Sequence, residues 1–161
     1  YESTIENMVK YVNDIAGIRV ICSFTSDIYR IAEMIRLQND IHVIAVKDYI
    51  RLPKASGYKS YHMLVTVPVF LSDRTVDVKV EIQIRTVAMD FWASLEHKLQ
   101  YKKNIPESQA KFLKDELYDC AQQSAALDKR MQNIRNVIAE SETKEEEKQD
   151  FLPIFLRENK G

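Results

Sequence analysis

The segment from Val76 to Arg85 constrains the fold more than any other part of the 161-residue chain. Its even positions are valine or isoleucine, and its odd positions are the polar residues Asp77, Lys79, Glu81, Gln83 and Arg85. Side chains alternate across a β-strand with a period of two, so the segment predicts a strand with one core face and one polar face. For this strand alone the default interpretation is a solvated face, but other segments supply similar groups beside turns. Together they indicate a polar sheet face that binds a charged ligand.

The rest of the first hundred residues alternates between strand and helix patterns. Apolar stretches predict strands at about 15–24, 41–47 and 60–70, and helical spacing of apolar residues predicts helices at about 27–38 and 89–102. A short helix capped by Ser3 or Thr4 is expected to reach about Tyr11. Pro53 and Gly57 indicate a loop at 48–59. The order predicts an α/β or α+β fold with helices flanking a sheet of about four or five strands.

Beyond Pro106 the pattern becomes that of one long helix. A stripe in steps of four and three comprises Leu113, Leu117, Cys120, Ser124, Leu127, Met131, Ile134 and Ile138. A helix from 107 to about 143 would be ~55 Å long, longer than this domain can cover. We expect it to pack on the domain at one end and on another subunit at the other; the alternative is a bent or broken helix that folds back on its own sheet. The charged run 140–148 predicts a helix end or linker, and the apolar segment 151–156 is expected to dock.

Composition excludes several classes of protein. The formal net charge is −1 and the isoelectric point is near 6.4, which argues against a general nucleic-acid binder. Cys22 and Cys120 lie far apart, and no Cys/His cluster has the spacing of a metal site, so free thiols in a reducing compartment are expected. No apolar run approaches the ~20 residues that span a bilayer. A soluble cytoplasmic protein is therefore expected.

Four segments concentrate the reactive groups, at 14–19, 47–54, 57–62 and 81–86. Two of their carboxylates, Asp14 and Glu81, lie at separate strand ends near several cations: Arg19, Lys47, Lys54 and Lys59. Carboxylates that hold Mg²⁺, with cations that balance phosphate charge, are what phosphoryl-type transfer needs. Tyr58, beside the permissive backbone of Gly57, suits the stacking of a nucleobase. Each signal is weak singly, because Asp14 could cap a turn, His62 could be a core histidine and Tyr58 could simply pack.

The order of these motifs makes them specific. The strings are Asp-Ile-Ala-Gly-Ile-Arg at 14–19, Lys-Asp-Tyr-Ile at 47–50 with Pro-Lys at 53–54, Gly-Tyr-Lys-Ser-Tyr-His at 57–62 and Glu-Ile-Gln-Ile-Arg-Thr at 81–86. Over about residues 3–103 the chain resembles the synthetase domain of RelA/SpoT-type alarmone enzymes. The string Ala-Met-Asp-Phe-Trp-Ala-Ser-Leu-Glu-His at 88–97 is similar to the stand-alone small alarmone synthetases of that family.

The resemblance implies a nucleotidyltransferase-like fold with a mixed sheet. It implies a GTP/GDP diphosphokinase that transfers pyrophosphate from ATP to the 3′-hydroxyl of GDP or GTP in the stringent response. Asp14 and Glu81 would be the catalytic residues and the Mg²⁺ ligands, with Glu81 as the general base. Arg19 would bind ATP, and Arg85 would support the site through hydrogen bonds. The residues implied to bind GDP or GTP are Lys47, Lys54, Tyr58, Lys59, His62 and Gln83.

The resemblance also bears on the organisation of the chain. We expect residues 1–105 to form the synthetase domain and residues 106–161 a helical region that builds a homo-oligomer, with a tetramer preferred. The family carries a cluster of Arg, Ser and Lys residues that grips ATP upstream of the Asp14 motif, and residues 1–13 do not contain it. We expect a further N-terminal portion to supply this cluster, because the ATP half of the reaction would fail without it.

Two other functions compete with this one. Related toxins transfer pyrophosphate to the 3′ end of tRNA, but that acceptor favours a basic surface, and the net charge of −1 argues against it. A non-catalytic guanine-nucleotide sensor or RNA-binding scaffold would have lost the ATP site. The pair Asp14 and Glu81 argues against a pure binder, because two carboxylates repel phosphates unless a metal ion is bound.

Overall fold

A computed structural model describes residues 16–100 and 106–158, with side chains described for 16–99, 106 and 108–143. In chain order the elements are β1 (Ala16–Cys22), α1 (Thr25–Arg36), β2 (His42–Asp48), β3 (Tyr61–Phe70), β4 (Thr75–Thr86), α2 (Val87–Gln100) and α3 (Glu107–Glu158). The sequence predicted each of these elements. The helix predicted between Ser3 or Thr4 and Tyr11 lies outside the described residues.

The four strands form one mixed sheet in the order β1-β4-β3-β2. β1 runs parallel to β4, whereas β4 pairs antiparallel with β3 and β3 pairs antiparallel with β2. The hairpin between β3 and β4 closes at a turn where the Leu71 N–H donates to the Arg74 carbonyl at 2.8 Å. This confirms the predicted mixed sheet with flanking helices.

One face of the sheet is the hydrophobic core. The side chains of Ile28 on α1, Met63 and Val65 on β3, and Ile84 on β4 are fully buried there. Burying each aliphatic side chain of this kind contributes about 1.5–3 kcal/mol. The odd-numbered residues of β4 lie on the other face, as the alternation predicted. α1 covers the apolar face and leaves the polar face available for a ligand.

The face of α3 that packs on the domain overlaps the predicted apolar stripe only in part: Leu113, Leu117 and Ser124 are half-buried, whereas Cys120 and the later members are exposed. Ala121 and Asp128 are buried against the domain, and Trp92 Nε1 on α2 donates to the Leu117 carbonyl of α3 at 2.8 Å. Cys120 is exposed, and the later stripe residues are 41–53% exposed: Leu127, Met131, Ile134 and Ile138. The small side chain of Ala121 lets the helix approach the domain closely, and the larger apolar residues from Leu127 onward face outward.

α3 also continues beyond the predicted end near residue 143. It is one helical element from Glu107 to Glu158, about 78 Å long at 1.5 Å per residue. The expectation of an end or linker at 140–148 is therefore wrong, because the Glu, Lys and Gln residues of this run are good helix formers. The apolar segment 151–156 lies in the last turns of the same helix. In the described part of the chain, no helix is long and apolar enough to cross a membrane.

Candidate active site

The strand register aligns the predicted site residues across the polar face. Residues paired across neighbouring strands share a face of the sheet. One row, read from β2 to β1, contains Lys47, His62, Gln83 and Arg19. Glu81 lies two residues before Gln83 on the same face of β4. The sheet therefore brings together residues from four segments that are far apart in sequence.

Five side chains on this face form a closed ring of hydrogen bonds. Tyr58 Oη lies 2.9 Å from His62 Nε2, and His62 Nδ1 lies 2.9 Å from Glu81 Oε1. Gln83 Nε2 donates to Glu81 Oε2 at 3.2 Å. Arg85 Nη2 closes the ring, donating to Gln83 Oε1 at 2.8 Å and to Tyr58 Oη at 2.6 Å. Both oxygens of Glu81 have a partner, so the ring fixes the orientation of this carboxylate.

The direction of each bond in the ring follows from the available protons. An ionised carboxylate can only accept, so the network assigns the His62 proton to Nδ1, and Nε2 accepts from the Tyr58 hydroxyl. Burial lowers the pKa of His62, although its hydrogen bond to Glu81 and the Glu81 charge act in the opposite direction. The imidazole is therefore neutral at pH 7. It holds the Glu81 carboxylate in place without cancelling its negative charge.

The lowered pKa of His62 predicts that acidification destabilises the fold. The imidazole of the unfolded chain titrates near its ordinary pKa of 6.5, above its pKa in the folded protein. Between these two values the unfolded state binds more protons, so the free energy of unfolding falls as the pH falls through this range. In His62→Gln the amide can replace both hydrogen bonds, so the urea midpoint should fall less between about pH 7.5 and about pH 5.5.

A matched control for this experiment is His42→Gln, because His42 is exposed at the start of β2. This variant should keep the pH dependence of the unmodified chain. If His62→Gln showed the same fall in urea midpoint as the unmodified chain, the buried imidazole would not be the cause.

Arg85 is the buried centre of the polar face, with only 5% of its surface exposed. Its Nε donates to Ser60 Oγ at 3.1 Å, and its Nη1 donates to Asp90 Oδ1 at 3.2 Å. Asp90 also forms an ion pair with Arg19, with 3.4 Å between Arg19 Nη1 and Asp90 Oδ1. Asp90 therefore connects Arg19, the residue implied to bind ATP, with the ring that contains Tyr58.

The loop between β2 and β3 presents Tyr58 to this network. Asp48 Oδ1 accepts hydrogen bonds from the backbone N–H groups two and three residues further on, both at 3.0 Å. The Gly57 N–H donates to the Lys54 carbonyl at 2.8 Å, and Gly57 has a φ of +88°, a conformation that favours glycine. Lys54 Nζ lies 4.7 Å from the centroid of the Tyr58 ring. The loop thus holds an aromatic ring and a cation side by side.

A cavity of about 750 Å³ opens beside the ring, within the range of small-molecule sites. Its lining includes five of the predicted residues: Arg19, Lys54, Tyr58, His62 and Gln83. Glu81 is adjacent to this lining, hydrogen-bonded to His62 and Gln83, and its side chain is 30% exposed. The structure therefore brings six predicted site residues together.

The other three predicted residues are placed differently. Lys47 is exposed at the end of β2, in the same row as His62. Lys59 lines a separate cavity of about 530 Å³ together with Asp128 on α3. Burial raises the pKa of Asp128, while the hydrogen bond from Thr86 and the charge of Lys59 act to lower it. The structure thus does not bring Lys59 to the cavity of Tyr58, and Asp14 lies outside the described residues.

The sequence analysis assigned no role to the polar residues of α2. Ser94 and His97 line the 750 Å³ cavity, and Asp90 pairs with two arginines beside it. These three residues are spaced four and three apart, the repeat that places side chains on one face of a helix. That spacing was the available signal, and it could have predicted that α2 forms a wall of the site.

The fold and the site define an α/β protein whose mixed sheet presents ionic and aromatic groups beside a cavity large enough for a nucleotide. The chain belongs to the RelA/SpoT family, because the sequence model described as "Region found in RelA / SpoT proteins" matches residues 2–106. This confirms the family that the motifs indicated.

Two similar relatives come from Bacillus subtilis (strain 168). GTP pyrophosphokinase YwaC is 47% identical over 139 residues, which are 85% of this chain and 64% of the relative. GTP pyrophosphokinase YjbM is 39% identical over 155 residues, which are 95% of this chain and 67% of the relative. The chain therefore spans about two thirds of the length of these relatives.

A similar solved structure is that of the small alarmone synthetase 1 from Bacillus subtilis bound to its product pppGpp. The two chains superpose with a TM-score of 0.74 at 39% sequence identity. The match covers 84% of this chain and 68% of the solved chain. The similarity confirms the fold.

Proposed function

We propose that the protein transfers pyrophosphate from ATP to the 3′-hydroxyl of GDP or GTP. The observation that carries this proposal is the Glu81 carboxylate, which His62 and Gln83 hold beside a cavity lined by cations and by Tyr58. A general base must lie within hydrogen-bond reach of its proton, and phosphoryl transfer needs positive charge around the phosphates. The names of the two relatives as GTP pyrophosphokinases support the same reaction.

In this proposal the acceptor nucleotide binds at the Tyr58 end of the cavity. Its guanine stacks on the Tyr58 ring, and Lys54, 4.7 Å from that ring, is available to the acceptor phosphates. Lys47 and Lys59 remain proposed phosphate ligands, whereas His62 would reach a phosphate only by exchanging its bond to Tyr58 or Glu81. Glu81 takes the proton of the acceptor's 3′-hydroxyl, and the oxygen of that hydroxyl bonds to the β-phosphorus of ATP. The bond between the β-phosphorus and AMP breaks in the same reaction, and AMP leaves.

ATP binds at the β1 side of the cavity in this proposal. Arg19 has a half-exposed side chain and pairs with Asp90 at 3.4 Å. An exposed ion pair of this kind is weak, so the guanidinium can exchange Asp90 for a phosphate at little cost. Asp90 keeps its second partner, Arg85, when this happens. ATP can therefore bind Arg19 without disturbing the ring around Glu81.

The chemistry of Glu81 fits a magnesium ion shared with the substrates. Mg²⁺ is usually held by one or two carboxylates together with substrate phosphates. Each Glu81 oxygen accepts one hydrogen bond and retains a further lone pair. Among the side chains that the structure describes, there is no group of three or more His, Cys, Asp or Glu residues that could hold a metal ion, and a shared site does not require one. We propose that Asp14 and Glu81 hold Mg²⁺, which would neutralise phosphate charge.

Replacing Tyr58 with alanine tests the acceptor site. Loss of base stacking should weaken the binding of GDP or GTP by ~1–3 kcal/mol. This would be seen as a higher KM for the acceptor, with the KM for ATP unchanged. Tyr58→Phe keeps the ring and removes only the hydroxyl bonded to His62 and Arg85. It should retain most acceptor affinity and lose turnover instead. Equal acceptor KM values for Tyr58→Ala and Tyr58→Phe would rule out stacking on this ring.

The proposed reaction is tested directly by a product assay. The protein is incubated with Mg²⁺, ATP labelled in its terminal phosphates, and GDP, GTP or deacylated tRNA. Label is expected on the guanine nucleotide, with AMP released in equal amount. Label on tRNA alone would contradict the proposal and indicate the toxin class. Binding of GDP without any transfer would indicate a nucleotide sensor.

We further propose that residues 106–161 assemble the protein into a homo-oligomer, with a tetramer preferred, and that residues 1–105 form the synthetase domain. The outward stripe of Leu127, Met131, Ile134 and Ile138 supports this division, because contiguous exposed apolar residues mark interaction surfaces. The family match over residues 2–106 supports it as well.

A cytoplasmic location is part of the proposal, since ATP and guanine nucleotides are cytoplasmic substrates. No nucleic acid and no membrane is required.

A further inference from the structure

We infer that α3 is the rear wall of the loop that carries Tyr58, and that Ala121 is a positioning residue for the acceptor nucleotide. The inference rests on the proposed function and deepens it. It connects the long C-terminal helix to one half of the site, the half that would bind GDP or GTP.

The contact between the loop and α3 is unusually close. Gly57 is buried, and a Cβ added to it would lie 2.5 Å from Ala121 Cβ and 3.6 Å from Tyr118 Cδ2. Real Cβ atoms essentially never approach another atom within 3.0 Å. Gly57 therefore has no room for a side chain, and because Ala121 is itself only 4% exposed, a leucine at that position must displace its neighbours. The residue after Gly57 is Tyr58, so any displacement of this contact moves the stacking ring.

α3 is held firmly at this contact. On one side of Ala121, the Leu117 carbonyl accepts from Trp92 Nε1 at 2.8 Å. On the other side, Ser124 Oγ donates to the Ala88 carbonyl at 3.0 Å. One turn further, Asp128 Oδ2 accepts from Thr86 Oγ1 at 2.6 Å. These bonds fasten α3 to α2 and to the end of β4. The helix therefore supports the loop as a rigid wall.

Trp92 reports on the same contact. It is the only tryptophan of the chain, it is buried in a cluster with Ala121, and its ring centroid lies 6.5 Å from that of Tyr58. A nucleotide that stacks on Tyr58 changes the surroundings of this indole. Its fluorescence therefore measures acceptor binding without any need for turnover.

The test compares Ala121→Leu with Ala139→Leu in the full chain, using GDP alone as the probe and Trp92 fluorescence as the readout. The leucine at position 121 must push on the Gly57 backbone, so the Kd for GDP should rise about tenfold. Affinity for a non-hydrolysable ATP analogue, measured by calorimetry, should stay unchanged. Ala139 is exposed on the same helix, further along from the loop, so its leucine variant should bind GDP like the unmodified chain.

A double-mutant cycle separates this contact from a general loss of folding. Gly57→Ala should weaken GDP binding through the clash with Ala121 and through the strained φ of +88°. Adding Ala121→Gly removes the clashing atom, so the double variant should recover part of the lost GDP affinity. A merely destabilised protein would lose more affinity with the second substitution, because glycine weakens a helix interior.

Two results would overturn the inference while leaving the proposed function intact: unchanged GDP affinity in Ala121→Leu, or additive losses in the double-mutant cycle. Failure of the unmodified chain to bind GDP at all would instead overturn the proposed function. Thermal unfolding of every variant identifies any protein that has not folded. If Ala121→Leu does not fold, the recovery of GDP affinity in the double variant decides whether the contact positions Tyr58.

Discussion

Glu81→Gln is expected to lower kcat for pyrophosphate transfer by about a thousandfold, because a positioned general base contributes 10²–10⁴-fold. Glutamine has nearly the same size but cannot take a proton from the 3′-hydroxyl, and its neutral amide is a poor ligand for Mg²⁺. Glu81 accepts from both His62 Nδ1 and Gln83 Nε2, so one of these donors would face the NH₂ group of the new amide. The measurement is initial-rate kinetics at saturating ATP and GDP.

A suitable control is Asp77→Asn, which removes a carboxylate from the same face of β4 at an exposed position. This variant should keep the activity of the unmodified chain. Glu81→Gln should still bind GDP, as measured by Trp92 fluorescence, because the Tyr58 ring that stacks on guanine is unchanged. More than a tenth of normal kcat in Glu81→Gln would show that the base lies elsewhere.

Arg85→Met is expected to lower the free energy of unfolding by about 3 kcal/mol, the scale for breaking a buried ion pair. Four partners lose a donor at once: Ser60, Tyr58, Gln83 and Asp90. Turnover should fall too, because the ring that orients Glu81 opens at two of its five bonds. Urea unfolding measures the first effect, and kinetics measured well below the unfolding midpoint measure the second.

The matched control for this substitution is Arg74→Met in the turn between β3 and β4. Arg74 donates to Asp73 at 2.8 Å, but both side chains are largely exposed. The free energy of unfolding of Arg74→Met should therefore fall by no more than about 0.5 kcal/mol. Similar losses for the two variants would contradict the central role of Arg85. Arg85→Lys should remain defective, because one ammonium group cannot reach four partners arranged around a planar guanidinium.

The ring also explains why His62 is better described as the partner of Glu81 than as a free phosphate ligand. Both of its nitrogens are used, one by Tyr58 and one by Glu81. A phosphate would have to displace one of these bonds in order to reach the imidazole. Loss of both hydrogen bonds in His62→Ala is therefore expected to affect turnover more than acceptor affinity.

Much of this arrangement could be predicted from the sequence, because its signals are local. The alternation in β4 depends only on the period of a strand, and it predicted the polar face that carries Glu81, Gln83 and Arg85. The motifs are contiguous strings, so they identified the family, five residues that line the cavity, and Glu81 beside them. Asp14, which lies outside the described residues, remains a prediction.

The tertiary structure decided which groups meet and which do not. Lys59 is next to Tyr58 in sequence, yet it lies beside Asp128, because consecutive residues of an extended chain point in opposite directions. The pairing of Asp90 with Arg19 depends on the distance between β1 and α2, which no local pattern encodes. The choice of face on α3 was likewise decided by shape: hydrophobicity favoured the stripe with Leu127, but only the small side chain of Ala121 lets the helix approach Gly57.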